Sequence, residues 1–224
     1  MEQAQLIPGT GKQITDLAPI DADAKRVAIR IERKRVAILS SEEVGNLKLK
    51  VGQAWTGQLE AMVLDAVERD KARAAALRLI AKTPKSKSEV LRRLSDRGFG
   101  KTAAKSVVAD LERAGLIDDE DLARRIVDYE TGRGAGARLL EAKLAKRGIE
   151  AHVAQEAVSE GLAGSDQVQE ATDLARQRAA TFPTNLPPEA AASRLFGLLS
   201  RRGFGQEAAE EAVRTVIREL PPPD

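Results

Sequence analysis

The chain has 224 residues, 42% of them hydrophobic, which is enough to bury a core in one or two compact units. The absence of cysteine excludes a disulfide framework, a thiolate metal site and a cysteine nucleophile. The sequence shows no secretory signal and no apolar run near the ~18 residues of a membrane span. We therefore expect a cytoplasmic protein that does not contact membranes.

The charge is nearly balanced overall, but the basic excess lies in the middle of the chain. The 36 basic and 34 acidic residues give a net charge of +2, whereas residues 71–160 hold nineteen basic and fourteen acidic residues. Such a modest excess does not imply strong nucleic-acid binding by the chain alone. Aromatic residues make up only 3% of the chain, and the abundance of Ala, Leu, Arg and Glu favours helices with aliphatic cores.

The first 57 residues predict strands. The segment RVAIRI (26–31) alternates apolar and charged residues, and the apolar run VAIL (36–39) follows after the charged turn ERKR. This pattern predicts a β-hairpin, with QITDL (13–17) as a candidate third strand.

An internal repeat organises the rest of the chain. Residues 91–108, 140–158 and 195–213 align on a glycine preceded by an arginine, with periods of 50 and 55 residues. In each segment an apolar helical face ends at the glycine, which favours the left-handed conformation that terminates a helix. An apolar residue follows, and a second helix begins. The predicted structural turns are Gly98 with Phe99, Gly148 with Ile149, and Gly203 with Phe204.

A third helix precedes each of these helix pairs. It is predicted over residues 58–81, 119–131 and 166–180. The expected N-caps are Thr56, Asp118 or Asp119, and Ser165. Met62, Leu77 and Tyr129 are among the apolar residues expected on the buried faces of these helices.

The sequence therefore predicts a mainly α fold. Three tandem three-helix, helix-turn-helix-like repeats follow one another in an elongated curved array, preceded by a small N-terminal β-hairpin region. The expected boundaries are 1–57 for the hairpin region and 58–115, 116–164 and 165–224 for the three repeats.

Two glycine-containing motifs resemble nucleotide-binding loops but fail on context. Gly-Lys-Thr at 100–102 ends like a P-loop, but Ser95 stands where the first glycine is required, and the preceding segment is helical rather than a strand. Gly-Arg-Gly-Ala-Gly at 132–136 lacks a surrounding βαβ unit. We expect it to be a connector between repeats, with an anion contact through Arg133 and Arg138 as the less favoured alternative.

The sequence offers no credible catalytic, metal or cofactor site, so we expect a protein that is not an enzyme. His152 is the only histidine, and its place near a helix start favours a solvated or partly packed side chain. The acidic run at 118–121 suits the positive end of a helix better than a metal ion.

Basic residues recur around the three turns and are candidates for a common surface that faces an anion. The alternative is an ordinary solvated surface, in which arginine stems cover apolar helix surface. The candidates are Arg92, Arg93, Arg97, Lys101, Arg138, Lys143, Lys146, Arg147, Arg201 and Arg202.

Three segments together resemble the RecX family of recombinase regulators. They are ALRLIAKTPKSKSEVLRRLSDRGF (76–99), LERAGLIDDEDLARRIVDY (111–129) and GRGAGARLLEAKLAKRGI (132–149). The chain departs from the family pattern at Val90, where Leu is usual, and at Ala137, where Pro is expected.

The resemblance implies a non-enzymatic modulator of the RecA recombinase, without a cofactor. Such proteins bind the RecA–DNA filament and typically limit its growth, ATP hydrolysis, strand exchange and role in the SOS response, so RecA and DNA are the expected partners of a monomeric chain. Two alternatives stay open, a free-standing DNA-binding helix-turn-helix module and a helical-repeat scaffold for other proteins. The Ala/Val-rich second helices are typical of packing elements rather than of recognition helices.

Overall fold

The computed structural model describes residues 11–220, in which three strands are followed by ten helices. The strands are β1 (Ile14–Pro19), β2 (Arg26–Ile31) and β3 (Lys34–Ser40). The helices are α1 (Ser41–Asn46), α2 (Gly57–Ile80), α3 (Lys87–Ser95), α4 (Lys101–Arg113), α5 (Asp119–Thr131), α6 (Ala137–Lys146), α7 (Ala151–Gly161), α8 (Gln167–Ala179), α9 (Pro188–Arg201) and α10 (Gln206–Glu219). The predicted helical fold with N-terminal strands and helical repeats is confirmed.

The strands form an antiparallel sheet in the order β1-β2-β3, so QITDL does contribute a third strand. Alternation of apolar residues places Ile29, Ile31 and Leu39 in one core with Trp55. The first half of α2 covers this core through Leu59, Val63 and Ala66. As predicted, Thr56 caps α2, because its side chain accepts a hydrogen bond from the backbone N–H of Leu59 at 3.1 Å.

The chain divides into two compact units. The first unit runs up to residue 83 and includes residues 90–116, and it contains the sheet, α1, α2, most of α3 and α4. Within it, α2 packs against both β3 and α4. No helix within residues 11–220 combines the length and apolar character that crossing a bilayer would require.

The second unit combines residues 84–89 with the chain from residue 117 onward. It holds two three-helix bundles, α5–α6–α7 and α8–α9–α10. The core of the first bundle includes Val127, Leu140 and Leu144. The core of the second includes Leu195, Leu199 and Phe204.

Three apolar residues that were expected to face a core are exposed instead. Met62 is 43%, Leu77 39% and Tyr129 62% exposed. Met62 and Leu77 each directly follow or precede a buried residue of α2, and neighbouring helical positions point about 100° apart. The buried face of α2 comprises Leu59 and Val63 with Ala66, Ala72, Ala75 and Ala76. The pattern of large apolar residues therefore failed at Met62 and Leu77, not along the whole face.

The expected N-cap of α8 was also wrong. Asp166, not Ser165, is the cap, and its carboxylate accepts hydrogen bonds from the backbone N–H groups of Val168 and Gln169 at 3.0 and 3.1 Å. Ser165 accepts instead from the side chain of Gln167. A carboxylate at this position also interacts favourably with the positive end of the helix.

Candidate nucleic-acid interface

An open groove in the first unit combines apolar residues with eight basic side chains in its lining. It has a volume of about 1900 Å³ and lies among the start of β3, the second half of α2 and the turn between α3 and α4. Among the described residues, its lining holds one acidic side chain, that of Asp70, and eight basic ones. We call it the cationic groove, and its basic residues are Arg26, Lys34, Arg35, Lys71, Arg73, Arg78, Lys82 and Arg97.

Local structure explains how separate segments bring these charges together. Arg26 begins β2, and Lys34 lies directly across from Ile31 in the β2–β3 pairing. On α2, Lys71 and Arg78 are seven residues apart and therefore share a helical face. Lys82 follows on the same side just beyond the helix end. The groove thus has one side from the hairpin and another from α2.

The single carboxylate of the groove is already engaged in holding the fold. Asp70 accepts hydrogen bonds from the backbone N–H of Ser40 at 2.6 Å and from its hydroxyl at 3.0 Å. The preceding residue, Arg69, donates two hydrogen bonds to Glu43, at 3.1 and 2.9 Å. The hydrogen bond to Glu43 raises the pKa of Arg69, against the opposing effect of burial. These contacts fix β3 and α1 on α2, and they engage none of the basic side chains of the groove lining.

Most of the basic side chains in the groove carry unpaired charge. Arg73 approaches Glu42 at 3.8 Å. Within residues 11–220, no ion pair involves Arg26, Lys34, Lys71, Arg78, Lys82 or Arg97. Leu77 and the half-buried ring of Phe99 add apolar surface to the lining. The groove therefore suits a ligand with several negative charges and some flat apolar surface.

The three turns share the predicted geometry. Gly98, Gly148 and Gly203 have φ values of +83°, +71° and +84°, the left-handed conformation that glycine adopts without strain. Ile149 and Phe204 are buried. Gly-Lys-Thr at 100–102 forms the start of α4, and the backbone N–H of Gly100 donates to the Glu68 carboxylate at 2.6 Å.

The arginine that precedes the glycine is a packing residue in the second unit. Arg147 donates through Nη2 to the carbonyl of Pro84 at 3.0 Å and to Glu89 Oε2 at 2.8 Å. Arg202 donates through Nη1 to the carbonyl of Arg133 at 2.6 Å. Each guanidinium therefore binds the connector that precedes the middle helix of the previous repeat.

The backbone of the turn docks on the same connectors. The carbonyl of Arg147 accepts a hydrogen bond from Ser86 Oγ at 2.5 Å, and that of Arg202 accepts one from the Gly136 N–H at 2.8 Å. Ser86 and Gly136 both stand twelve residues before the turn glycine of their own repeat. The repeated arginine thus has a structural cause in these two turns, and the glycine-rich connector at 132–136 is a docking segment.

Arg97 occupies the same position in the first repeat, where no helical repeat precedes it. It is exposed, lacks an ion pair within residues 11–220 and lines the cationic groove. A methyl group built on the neighbouring Gly98 would have no heavy atom within 4 Å. The first turn is therefore uncovered, and its arginine is available to a ligand.

The structure brings only one of the ten candidate basic residues into the groove. Besides Arg97, the exposed candidates without an ion pair in the described chain are Arg92, Arg93, Lys101, Arg138, Lys146 and Arg201. Lys143 pairs with Glu130. Arg147 and Arg202 hold connectors, as described above.

Sequence reasoning missed seven of the eight basic residues of the groove. Two signals were present, the charged turn ERKR and the i, i+7, i+11 spacing of Lys71, Arg78 and Lys82. Neither signal shows that the hairpin lies beside the second half of α2, because that contact depends on tertiary packing.

Within the second unit, Glu89 contacts both Ser86 and Arg147. Its side chain accepts from the Ser86 N–H at 3.0 Å, while the Glu89 N–H donates to Ser86 Oγ at 3.1 Å, a reciprocal capping box. Burial acts to raise the pKa of Glu89, but the hydrogen bonds from Arg147 and Ser86 and the charges of Arg147 and Lys85 outweigh it and lower the pKa.

Other possible sites have structural roles or lie in solvent. Asp118 caps α5, with its carboxylate 2.9 Å from the Asp121 N–H, and Asp119 accepts from the Lys87 N–H at 2.9 Å. His152 is exposed. Across residues 11–220, no three or more acidic or histidine side chains are grouped so that they could hold a metal ion.

Comparison with known proteins places this arrangement in a family. The model described as "RecX, first three-helix domain" matches residues 72–111, which include the second half of α2 and the first turn. The chain is 33% identical over 153 residues to the Regulatory protein RecX of Mycolicibacterium vanbaalenii, and the match covers 64% of this chain and 81% of that protein. The chain belongs to the RecX family. The Streptomyces coelicolor relative is 34% identical over 152 residues, with 67% and 79% covered.

Solved structures of RecX proteins share the fold. A crystal structure of regulatory protein RecX aligns with a TM-score of 0.75 at 16% identity, covering 93% of this chain and 99% of that one. RecX from Lactobacillus salivarius aligns with a TM-score of 0.56 at 20% identity, covering 68% and 96%. The cationic groove has one side inside the matched domain and the other side in the N-terminal sheet.

Proposed function

We propose that this RecX-family chain is a non-enzymatic regulator that binds the RecA–DNA filament and restrains it. The regulated activities are filament growth, ATP hydrolysis and strand exchange, and through them the SOS response. The observation that carries the proposal is the cationic groove on a chain whose relatives are named regulatory proteins. A nucleoprotein filament offers the phosphates that such a groove attracts.

The groove is suited to binding a ligand rather than to catalysing a reaction. Its one carboxylate, Asp70, is held by two hydrogen bonds from Ser40, so it is poorly placed to act as a general base. His152, the only histidine of the chain, is not part of the lining. The chain would therefore compete for or hold filament surface while RecA hydrolyses the ATP.

The geometry gives less support to a free-standing helix-turn-helix reader of duplex DNA. Such a reader inserts its second helix into the major groove with polar side chains toward the bases. In α4 the residues Ala103, Ala104, Val107 and Val108 are buried, and α10 carries Glu207, Glu210 and Glu211. Helix α4 therefore serves packing, and α10, the second helix of the third repeat, presents negative charge.

The deciding experiment adds the purified full chain to RecA and single-stranded DNA. We expect the DNA-dependent ATPase and strand exchange of RecA to fall as the chain approaches a near-stoichiometric ratio. Unchanged rates in both assays at equimolar chain would rule the proposal out.

A charge-reversal variant tests whether the groove carries the effect. Lys71→Glu with Arg78→Glu replaces two exposed, unpaired cations of the groove, and we expect the concentration for half-inhibition of the RecA ATPase to rise about tenfold. Lys50→Glu with Lys105→Glu is the matched control, since both lysines are exposed in the same unit and neither lines the groove. Equal inhibition of RecA by the variant and the control would show that the groove is not needed for regulation.

A further inference from the structure

We propose that the cationic groove is a binding site for single-stranded nucleic acid, which it holds by the sugar–phosphate backbone without RecA and without sequence preference. The biological setting of this site rests on the proposed function, whereas the site itself rests on the charges and surfaces of the first unit.

Positive charge lines the groove on both sides. Arg26 and Lys34 stand on the hairpin side, and Lys71, Arg78 and Lys82 follow the α2 side. From Lys71 to Lys82 the helix and its end extend over about 16 Å at 1.5 Å per residue. This length accommodates several nucleotides, within the range of single-strand sites.

Most of these charges are available to a ligand because the fold does not pair them with carboxylates. Six of the eight basic residues lack an ion pair within residues 11–220, and the only groove carboxylate is bound to Ser40. Binding a polyanion there would release counterions from its phosphates, which favours binding at low salt. Backbone contacts of this kind carry no sequence information.

Arg97 shows that the first turn is open to a ligand. Its counterparts Arg147 and Arg202 donate to the connector carbonyls of Pro84 and Arg133. Arg97 keeps the same place beside the turn glycine but faces the groove lining instead. It therefore adds a guanidinium, with several N–H donors, to the α3–α4 end of the site.

Phe99 favours a single strand over a duplex. Its half-buried ring and the exposed part of Leu77 belong to the groove lining. An unstacked base can lie on an aromatic face, and this contact is tolerant of sequence. In a duplex the base faces are covered by neighbouring bases, so the ring would gain nothing. An acidic peptide would match the charges but would leave this flat surface unused.

The first test measures fluorescence anisotropy of labelled (dT)20 and of a 20-base-pair duplex with the full chain alone. We expect (dT)20 to bind at least about fivefold more tightly than the duplex. Lys71→Glu with Arg78→Glu should weaken (dT)20 binding about tenfold and reduce the slope of log K against log salt by about 1.4, since each lost phosphate contact on a single strand removes about 0.7. Lys50→Glu with Lys105→Glu should leave both quantities nearly unchanged.

The second test asks whether a base stacks on the ring at position 99. Phe99→Leu keeps an apolar side chain at the turn, and we expect about fivefold weaker (dT)20 binding. Phe99→Trp should restore affinity, and its fluorescence should be quenched by (dT)20. The native Trp55 is 4% exposed, so it should contribute little to that change.

The outcomes separate this site from the proposed function. Loss of (dT)20 binding in Lys71→Glu with Arg78→Glu supports the site, even if RecA inhibition persists and the groove proves unnecessary for regulation. No (dT)20 binding by the unmodified chain, equal binding by the double variant, or tighter binding of the duplex overturns the site even where RecA is inhibited. Displacement of (dT)20 by a 20-residue poly-glutamate at equal concentration would assign the groove to acidic protein segments instead.

Discussion

The three turn glycines differ in how much space surrounds their Cα atoms. At Gly98 an added methyl group would touch nothing, at Gly148 it would lie 2.4 Å from Ser88 Oγ, and at Gly203 it would lie 2.2 Å from the Leu139 backbone nitrogen. All three positions require a left-handed backbone. In the second unit the glycine therefore also permits close contact with the first turn of a helix, α3 at Ser88 and α6 at Leu139.

Alanine substitution should reveal this difference as a graded loss of stability. We expect Gly98→Ala to cost about 1 kcal/mol, from the left-handed backbone alone. Gly148→Ala and Gly203→Ala should cost more, about 2–4 kcal/mol, since a side chain or the backbone must move. Urea unfolding of the three variants is the measurement. Equal losses at the three positions would show that the close contacts do not matter.

The Glu89–Arg147 pair predicts a pH-dependent contribution to stability. The pKa of Glu89 is lowered from its ordinary value of 4.5, so the folded state favours the carboxylate. This stabilisation is fully present above pH 4.5 and disappears as the pH falls through the lowered pKa. We expect Glu89→Gln to lose about 1–2 kcal/mol at pH 7.

The measurement is the difference in unfolding free energy between Glu89→Gln and the unmodified chain from pH 7 down to pH 3. This difference in unfolding free energy should become smaller as the pH approaches 3. Glu120→Gln is a suitable control, because Glu120 is exposed. A difference that stays constant over this range would show that the charge of Glu89 is not what stabilises the contact.

Helix α2 shows what sequence patterns predict at the level of elements. Its cap and length were predictable because local hydrogen bonding and helical period are encoded within a few residues. The exposure of Met62 and Leu77 was not predictable, because alanines form much of the buried face and Leu77 lies toward the groove. The strands were likewise predictable from alternation. The groove was not, because Arg26 and Arg78 meet only through packing of the sheet on α2.

The repeated arginines differ in role: one that contacts a connector should stabilise the fold, whereas the one in the groove should contribute to binding. Arg202 donates to the Arg133 carbonyl, whereas Arg97 lines the groove. We expect Arg202→Ala to lower the unfolding free energy by about 1–2 kcal/mol. Arg97→Ala should change it by less than about 0.5 kcal/mol while weakening inhibition of RecA. Urea unfolding and the ATPase assay check both variants. A reversed order of the two stability losses would contradict the structural assignment.

On the scale of the whole molecule, a net charge of +2 hides a strong local field. The first unit concentrates eight basic residues against one engaged carboxylate in a single groove. Sequence totals could not show this, because hairpin, helix and turn contribute separately. The net charge therefore says little about affinity for nucleic acid, and local arrangement decides it.

The last repeat differs from the others where a further repeat would dock. Counting twelve residues before Gly203 reaches Ala191, which corresponds to Gly136 and Ser86. Because α9 begins earlier, at Pro188, the Ala191 N–H already donates to the Pro187 carbonyl at 3.0 Å. It is not available to the turn of another repeat or of a second copy.

The docking of turns on connectors also bears on how such chains arise. Each repeat in the second unit contributes main-chain groups to the contact, together with one arginine and one glycine. A duplicated segment would therefore bring a complete interface with it, and its other side chains would be free to diverge. Gene duplication can lengthen a protein of this kind in single steps.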